Sequence, residues 1–391
     1  MTTEPVSIIM ADTIVTGSLV LSPGWIRVEG ARILDCGRGK PPEPTTGEST
    51  SGEPAPVRLS GTVIPGFVDI HAHGAAGVHF ADAVDRSMQP AIDWHAERGT
   101  TTLFASLATD SLPRLAQQVA ALSPLVRGGA LGGIHLEGPW LSPAHRGAHE
   151  ESLLRPPAAE EVRGLLAEPA VRMVTIAPEL PGGLEAIDSV VSAGAVAAIG
   201  HTSCDLATAR AAFDRGATVA THLFNGMPPL HHRSPGPVGA ALLDDRVFAE
   251  LILDGHHVAD ELVAIAAHLL GGRLVAVSDS IAATGQPDGD YTLAGTAVSV
   301  RDGVARVTGG GSLAGSTITL ASAFRALVER QGFSLLEAVV ATATAPARAL
   351  GLSDVGSIRA GGFADLVVLD GLAVSSVMRR GAWLGEPPVR S

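Results

Sequence analysis

The amino-acid sequence predicts a (β/α)8 barrel joined to a small β-sandwich domain built from both chain termini. Three observations indicate this fold. Apolar, mostly β-branched runs alternate with helix-like stretches through the middle of the chain, short β-like runs with turns occupy both ends, and polar residues follow the apolar runs. Alternating buried strands and helices are typical of a parallel sheet covered on both faces, and eight such units indicate a barrel. A doubly wound open sheet is the structural alternative.

The barrel prediction depends on eight apolar runs between residues 62 and 280. In chain order they are TVIPGFVDIHAH, TTTLFASLAT, LGGIHLEGP, VRMVTIAPE, GAVAAIGHTS, ATVATHLFN, VFAELILDGHH and RLVAVSDS. Each run is followed by a helix-like or Ala-rich stretch, as expected of repeated strand and helix units.

The chain ends differ from the middle in composition. Residues 1–61 and 357–391 are predicted to pair into the β-sandwich domain, and residues 62–356 are predicted to form the barrel. Within the first segment, residues 37–56 are rich in Pro, Gly, Ser and Thr. That composition predicts a flexible connector.

Composition excludes several classes of function. The chain has 391 residues, 46% of them hydrophobic, and a net charge of −13, which argues against a nucleic-acid-binding surface and against a polybasic surface for binding membranes. We expect a cytoplasmic protein, because no signal peptide, membrane span or disulfide framework is recognised. Lys40 is the only lysine and lies in the Pro/Gly-rich connector. A P-loop lysine, a Schiff-base lysine and a carboxylated metal-bridging lysine are therefore disfavoured.

Polar residues cluster at the ends of the apolar runs, where barrel enzymes place their active sites. The ones able to bind a metal or to move a proton are His71, His73, Glu137, His201, His222, Asp254, His257 and Asp279.

The types of these residues predict metal chemistry. His71 and His73 are two apart in a strand, with Cα atoms about 6.5–7 Å apart on one face, so both imidazoles can reach one ion. The alternative is a hydrogen-bonded pair inside the barrel. A carboxylate at Glu137 is costly to bury without a cation, and with His201 and His222 it forms a set suited to Zn²⁺. Asp279 can act as a general acid/base, or alternatively as a helix N-cap.

The same motifs resemble a known family. An H-x-H pair on the first strand, single histidines on the fifth and sixth and an aspartate on the eighth resemble the amidohydrolase superfamily of metal-dependent hydrolases. Within it, HLEGPW, GHT, THLFNGMPPL, DGHHV, SDSIAATG and SLAGS are similar to the N-acetylglucosamine-6-phosphate deacetylases. The matches run in order from about residue 60 to residue 350, and the family fold is a barrel with a β-sandwich made from both termini.

The resemblance implies a role for each residue. Glu137, His201 and His222 match the principal metal ligands, and His71 and His73 match positions that complete a second site in some members. Asp279 matches the general acid/base and a further ligand. His149 matches the histidine that polarises the acetyl carbonyl, although His145 is close by. The substrate-contacting positions are matched by Ala148, His149, Asn225, Gly226, Arg233, Asp254, His257, Leu313, Ala314 and Gly315.

The implied activity is metal-dependent deacetylation of N-acetyl-D-glucosamine 6-phosphate. One or two divalent ions are expected per subunit, with Zn²⁺ ahead of Fe²⁺, Co²⁺, Mn²⁺ and Cd²⁺. The resemblance also implies a homodimer in which Arg233 reaches the partner's active site. The alternatives are an amidohydrolase for another N-acetylated amino sugar or amide, and a non-catalytic scaffold on a hydrolase barrel.

Overall fold

The structure, a computed structural model, describes residues 6–42 and 56–387. The first strands of the chain build the terminal sheets: β1 (Val6–Ala11), β2 (Thr13–Val15), β3 (Val20–Leu21), β4 (Gly24–Glu29), β5 (Arg32–Arg38), β6 (Val57–Arg58) and β7 (Thr62–Pro65). Gly37 and Arg38, predicted to lie in the connector, belong to β5. Residues 43–55 of that connector lie outside the described residues.

The next ten strands form a small hairpin, β9 with β10, and a parallel sheet of eight strands. They are β8 (Phe67–Asp69), β9 (Gly74–Ala75), β10 (Val78–His79), β11 (Thr100–Ala108), β12 (Gly133–Glu137), β13 (Val171–Ile176), β14 (Val196–Ile199), β15 (Val219–Ala220), β16 (Phe248–Ile252) and β17 (Leu274–Val277). The eight sheet strands are neighbours in chain order from β8 to β17. The Asp279 amide donates to the His71 carbonyl over 2.8 Å, which joins the last strand to the first.

Helices connect these strands on the outside of the barrel. They are α1 (Gln89–Ala96), α2 (Leu112–Arg127), α3 (Ala159–Leu166), α4 (Gly183–Ser192), α5 (Leu206–Asp214), α6 (Gly236–Leu243) and α7 (Asp260–Leu270), with 3-10 turns at Phe80–Asp82, Pro143–His145, Glu151–Leu153 and Gly271–Arg273. In α2, Leu115, Val119 and Leu122 recur at helical spacing and are buried, as expected of a helix that packs one apolar face on a sheet.

A three-stranded antiparallel sheet follows the eighth barrel strand. It contains β18 (Gly289–Leu293), β19 (Thr296–Arg301) and β20 (Val304–Val307). The chain then forms α8 (Leu320–Glu329), α9 (Leu335–Val339) and α10 (Ala345–Ala349), with a π-helical turn at Val340–Thr344 between the last two.

The C-terminal strands return to the sheets of the N-terminal segment. They are β21 (Leu366–Asp370), β22 (Ala373–Arg379) and β23 (Ala382–Trp383). One terminal sheet has the order β5-β4-β1-β6, and the other has the order β23-β22-β21-β7-β2-β3. Residues of both sheets, among them Ile9, Ile26, Val63 and Leu366, share one apolar core.

The predicted fold class is confirmed, because each of the eight apolar runs contains one strand of the barrel and both termini build the separate sheets. The open-sheet alternative is wrong, since hydrogen bonds join the first strand to the last. The domain bounds stay a prediction; β7, at the start of the predicted barrel segment, still pairs in a terminal sheet. Among the described residues, no helix is long and apolar enough to cross a membrane.

Buried apolar and buried polar residues both fill the barrel interior. Val68, Phe104, Met173 and Val275 belong to one buried apolar cluster. Buried polar side chains, among them His71, His135, Glu137, Thr175 and Glu250, extend from the barrel strands or follow them. The candidate site residues are among the polar residues at the carboxyl ends of the strands.

Candidate metal centre

Three of the candidate residues lie where the backbone leaves a strand in a left-handed conformation. His201, His222 and Asp279 have φ values of 46°, 27° and 48°. Each follows the last residue of its strand by two positions. Left-handed backbone is uncommon outside glycine and concentrates at functional sites, where the surrounding structure holds it.

The first cluster of ligand atoms comprises Glu137, His201 and His222. Glu137 Oε1 lies 3.1 Å from His201 Nε2 and 3.0 Å from His222 Nε2. The two Nε2 atoms are themselves 3.0 Å apart. Each residue offers an atom within 4.8 Å of the other two, so the set could hold one metal ion.

A second cluster lies directly beside the first and comprises His71, His73 and Asp279. Asp279 Oδ1 is 3.5 Å from His71 Nε2 and 3.4 Å from His73 Nε2. The other oxygen of Glu137, Oε2, lies 3.1 Å from His73 Nε2. Glu137 Oε1 also lies 3.5 Å from His71 Nε2, so the carboxylate contacts both clusters and is placed to bridge two ions.

Hydrogen bonds to the far ring nitrogens indicate which tautomers these histidines adopt. His201 Nδ1 lies 2.8 Å from the His145 carbonyl, and His73 Nδ1 lies 3.2 Å from the Ser106 carbonyl. A carbonyl only accepts, so each Nδ1 carries a hydrogen, and when the ring is neutral its Nε2 presents a lone pair to the cluster. Metal-binding histidines are oriented in this way. The donor set therefore fits a divalent ion.

His149 has the opposite tautomer. Its Nδ1 accepts a hydrogen bond from the Thr109 backbone amide over 3.2 Å, so the hydrogen is on Nε2. That Nε2 lies 3.5 Å from Glu137 Oε2, and the side chain is buried beside the clusters. Burial lowers the pKa of His149 to about 4, which keeps the ring neutral near pH 7. His149 is placed to donate a hydrogen bond beside the candidate metal ligands.

His145, the other candidate for that role, contributes mainly its backbone. Its carbonyl accepts from His201, while its side chain is half-buried and does not line the cavity beside the clusters. The geometry favours His149 over His145 as the hydrogen-bond donor.

The charges of the two clusters compensate one another. Burial alone would raise the pKa of Glu137, but the charge of His71 and hydrogen bonds from His149, His201 and His222 hold that pKa well below its ordinary value. Burial alone would lower the pKa of His73, but Asp279 and Glu137 raise it to about 9. These carboxylates therefore need a cationic partner, which a divalent ion supplies when it displaces the histidine protons.

The clusters face a cavity of about 230 Å³. Its walls include most of the residues predicted to contact substrate, namely Ala148, His149, Asn225, Gly226, His257, Leu313, Ala314 and Gly315. Leu293, Ser312, Gly147 and Ile252, which the sequence analysis missed, also line it.

Two predicted contact residues do not line this cavity. Asp254 contacts His257 instead, with Oδ2 2.7 Å from Nδ1, and so orients a ring that does line it. Arg233 is exposed, and within the described parts of the chain its guanidinium has no ion-pair partner.

Sequence reasoning also missed the residues that support the ligands. Glu250 lies 3.0 Å from His71 Nδ1, and Thr109 holds His149. A carboxylate within the otherwise apolar run VFAELIL is the signal that could have identified Glu250. Thr109 has no comparable signal, because a threonine after a strand is ordinary.

Comparison with known proteins places this geometry in a family. Residues 62–384 match the model of the amidohydrolase family. The chain belongs to the amidohydrolase family. The match covers the barrel, both clusters and the C-terminal strands, and it confirms the resemblance predicted from the motifs.

Two curated members are similar to the chain over most of their length. The N-acetylgalactosamine-6-phosphate deacetylase of Escherichia coli O157:H7 is 36% identical over 378 residues, which cover 93% of this chain and 96% of the relative. The human N-acetylglucosamine-6-phosphate deacetylase is also 36% identical, over 374 residues that cover 90% and 89% of the two chains.

A solved structure agrees with the fold in detail. It is a mutant N-acetyl-D-glucosamine-6-phosphate deacetylase from Mycobacterium smegmatis in complex with N-acetyl-D-glucosamine-6-phosphate. It is 44% identical, has a TM-score of 0.92, and aligns over 97% of this chain and 99% of its own.

Proposed function

We propose that this amidohydrolase removes the acetyl group from N-acetyl-D-glucosamine 6-phosphate and releases D-glucosamine 6-phosphate and acetate. The observation that carries the proposal is the convergence of three groups on one cavity: two candidate metal clusters bridged by Glu137, a carboxylate at Asp279, and a neutral N–H donor at His149. Amide hydrolysis needs a nucleophile, a proton carrier and a stabiliser for the oxyanion. Relatives that carry this activity at 36–44% identity support the substrate.

The two clusters would hold one or two divalent ions, and we propose Zn²⁺ because histidine and carboxylate ligands suit it. A bound ion makes water more acidic and polarises a carbonyl oxygen. Fe²⁺, Co²⁺, Mn²⁺ and Cd²⁺ fit the same ligands. Elemental analysis of the purified protein tests the choice of metal.

The protein's own groups move the protons. Asp279, at the end of the eighth strand, accepts the proton of the attacking water and returns it to the amine nitrogen as the C–N bond breaks. His149 donates its Nε2–H to the oxygen that becomes negative in the tetrahedral intermediate. Because the pKa of His149 is lowered to about 4 by burial, it serves as a neutral donor and keeps its proton.

The remote part of the cavity is proposed to bind the sugar and its phosphate. Asn225, Gly226 and Leu313–Gly315 line the cavity, as does His257, whose ring is held by Asp254. We propose that Arg233 meets the phosphate in the partner subunit's cavity, since its guanidinium has no ion-pair partner among the described residues of its own chain. The active form would then be a homodimer.

A second candidate substrate is N-acetylgalactosamine 6-phosphate. It differs only in the configuration of one ring hydroxyl, and the Escherichia coli relative named for it is as similar to this chain as the human enzyme. The catalytic clusters would act on both sugars in the same way, so the residues around the ring decide between them.

An acetate-release assay tests the reaction and the substrate together. We expect the highest kcat/KM on one of the two 6-phosphates and a large loss on the unphosphorylated sugars. Asp279→Asn should reduce turnover by orders of magnitude while the Glu137–His201–His222 cluster keeps its ion. Near-normal turnover in that variant would contradict the role of Asp279, and a metal-free, inactive wild type would favour the scaffold alternative.

Mixed dimers test the placement of Arg233. Arg233→Ala and Asp279→Asn each inactivate both sites of their own homodimer. In a mixed dimer, the site with an intact Asp279 receives the intact arginine from the partner, so activity returns at one site. No recovery on mixing would show that Arg233 acts within its own subunit, and a fully active Arg233→Ala homodimer would show that it has no role.

A further inference from the structure

Glu250 is a fully buried carboxylate that the proposed chemistry does not use. It lies in the middle of β16, and none of its surface is exposed. A charged side chain in such a place is costly unless other groups compensate it. A leucine would fit the surrounding apolar run without this cost, so the presence of a carboxylate at position 250 needs a physical reason.

Those contacts connect the two metal clusters. Glu250 Oε2 lies 3.0 Å from Nδ1 of His71, a member of the second cluster. The same oxygen accepts a hydrogen bond from the backbone amide of His222, a member of the first cluster, over 3.2 Å. The other oxygen, Oε1, is buried without a hydrogen-bond partner. The interactions of the carboxylate are therefore concentrated on the metal ligands.

His71 differs from the other candidate ligands in this respect. The Nδ1 atoms of His73 and His201 face neutral backbone carbonyls. Only His71, among the four histidines of the two clusters, has a carboxylate at Nδ1. A negative partner at Nδ1 makes Nε2 a stronger donor to a metal and fixes the orientation of the ring. The contact with the His222 amide also supports a residue whose backbone is left-handed.

We propose that Glu250 is a positioning residue that joins the two clusters and, through its charge on His71, sets the affinity of the His71–His73–Asp279 cluster for the second ion. The inference rests on the proposed metal centre and adds a buried residue that acts on it through His71. It predicts that loss of this charge weakens binding of the second ion far more than binding of the first.

Glu250→Gln tests the charge while keeping an oxygen in place. The metal-stripped variant and wild type are titrated with Co²⁺ in competition with a chelator, and stoichiometry and both dissociation constants are measured. We expect two ions per wild-type chain. In the variant, the second dissociation constant should rise about 10- to 100-fold, the usual effect of losing such a partner, and the first should change by much less.

Asp69→Asn is the matched control. Asp69 is equally buried and lies in the same barrel interior, but it contacts the backbone amides of His71 and Ser278 and no ligand ring. It should leave the second dissociation constant near that of the wild type. An equal loss in both variants would show that the contact with the His71 ring is not what distinguishes Glu250, and would overturn the proposal.

A double-mutant cycle shows whether Glu250 acts through His71. In a His71→Ala background, Glu250→Gln should produce little further loss at the second site, because the ring that it orients is gone. Additive losses would overturn the proposed route. Should Glu250→Gln fail to fold, Glu250→Asp retains the charge but withdraws it from His71, and unchanged binding of the second ion in that variant would also overturn it.

The metal titration separates this inference from the proposed function. A wild-type chain that binds a single ion and still deacetylates the sugar phosphate would refute the role of Glu250 and leave the deacetylase proposal intact. The opposite result is a wild-type chain that binds two ions without deacetylating the sugar phosphate, together with weaker binding of the second ion in Glu250→Gln. It would support the role of Glu250 and refute the deacetylase proposal.

Discussion

Gly226 contacts a candidate metal ligand so closely that one added methyl group should disturb the centre. A Cβ at this position would lie 2.9 Å from His201 Nδ1, whereas ordinary contacts begin near 3.4 Å, so the ring must move by about 0.5 Å. The moving nitrogen is the one that donates to the His145 carbonyl. Gly226 also has a φ of 60°, which alanine adopts at a cost of about 1–2 kcal/mol.

The expected result of Gly226→Ala follows from these two effects. The free energy of unfolding should fall by about 1–2 kcal/mol because of the backbone. Displacement of the His201 ring should in addition reduce turnover about 10- to 100-fold, since misplacement of a site group by a fraction of an ångström has effects of this size. Chemical denaturation, elemental analysis and acetate release measure stability, ion occupancy and turnover separately.

Gly194→Ala provides the control for the backbone effect. Gly194 has a φ of 79°, and a Cβ there would meet no atom within 4 Å. It should lose a similar amount of stability and retain full ion content and turnover. If Gly226→Ala behaves like Gly194→Ala in all three measurements, the contact with His201 does not matter and the reasoning from geometry is refuted.

Three further predictions concern residues outside the two clusters. Phe104→Ala empties a fully buried position in the barrel interior and should cost about 3–5 kcal/mol of unfolding free energy in denaturant titrations; a loss below 1 kcal/mol would contradict close packing there. Ser334→Ala removes the capping box that Ser334 shares with Glu337 and should cost about 1 kcal/mol without changing kcat or KM; an unchanged midpoint would show that the cap is dispensable. Burial raises the pKa of Cys204 to about 12, so the thiolate is scarce below that pH and a thiol reagent at pH 8 should label Cys204 only after denaturation, which mass spectrometry can follow; rapid labelling of the folded protein would contradict its burial.

The sequence supports the barrel strongly because its strands are buried on both faces. Runs such as TTTLFASLA form β11, in which eight of nine residues are buried, and continuous apolar character is sufficient to identify such a strand. The convergence of the candidate ligands was also predictable, since His71, Glu137 and His201 lie at or directly after strand ends, and only one edge of a barrel carries its active site.

The supporting residues were harder to predict because they contact the candidate site residues from distant positions in the sequence. Glu250 reaches His71 across 179 positions of sequence, and Thr109 reaches His149 across 40. No rule based on sequence spacing predicts either contact. The orientation of a ring and the tautomer it adopts depend on such contacts, so they became visible only with coordinates.

The three-stranded sheet after the eighth barrel strand was missed for a different reason. Its strands alternate exposed and buried residues, as in YTLAG and TAVSVRDGVARV, and Asp302–Gly303 is a strong hairpin signal. The local pattern was present in the sequence. The sheet was missed because all of residues 62–356 were assigned to the barrel.

The seam of the barrel coincides with the second metal cluster. His71 and Asp279 are hydrogen-bonded backbone neighbours at the junction of the first and last strands, although about 200 residues separate them. An ion held by His71, His73 and Asp279 would therefore add a cross-link between the first and last strands, which backbone hydrogen bonds already join. At 100 times its dissociation constant it would add about 2.7 kcal/mol to the stability of the folded form. Chelation should then loosen the seam first, so hydrogen exchange at the amides of His73 and Asp279 would report metal loss before the rest of the barrel responds.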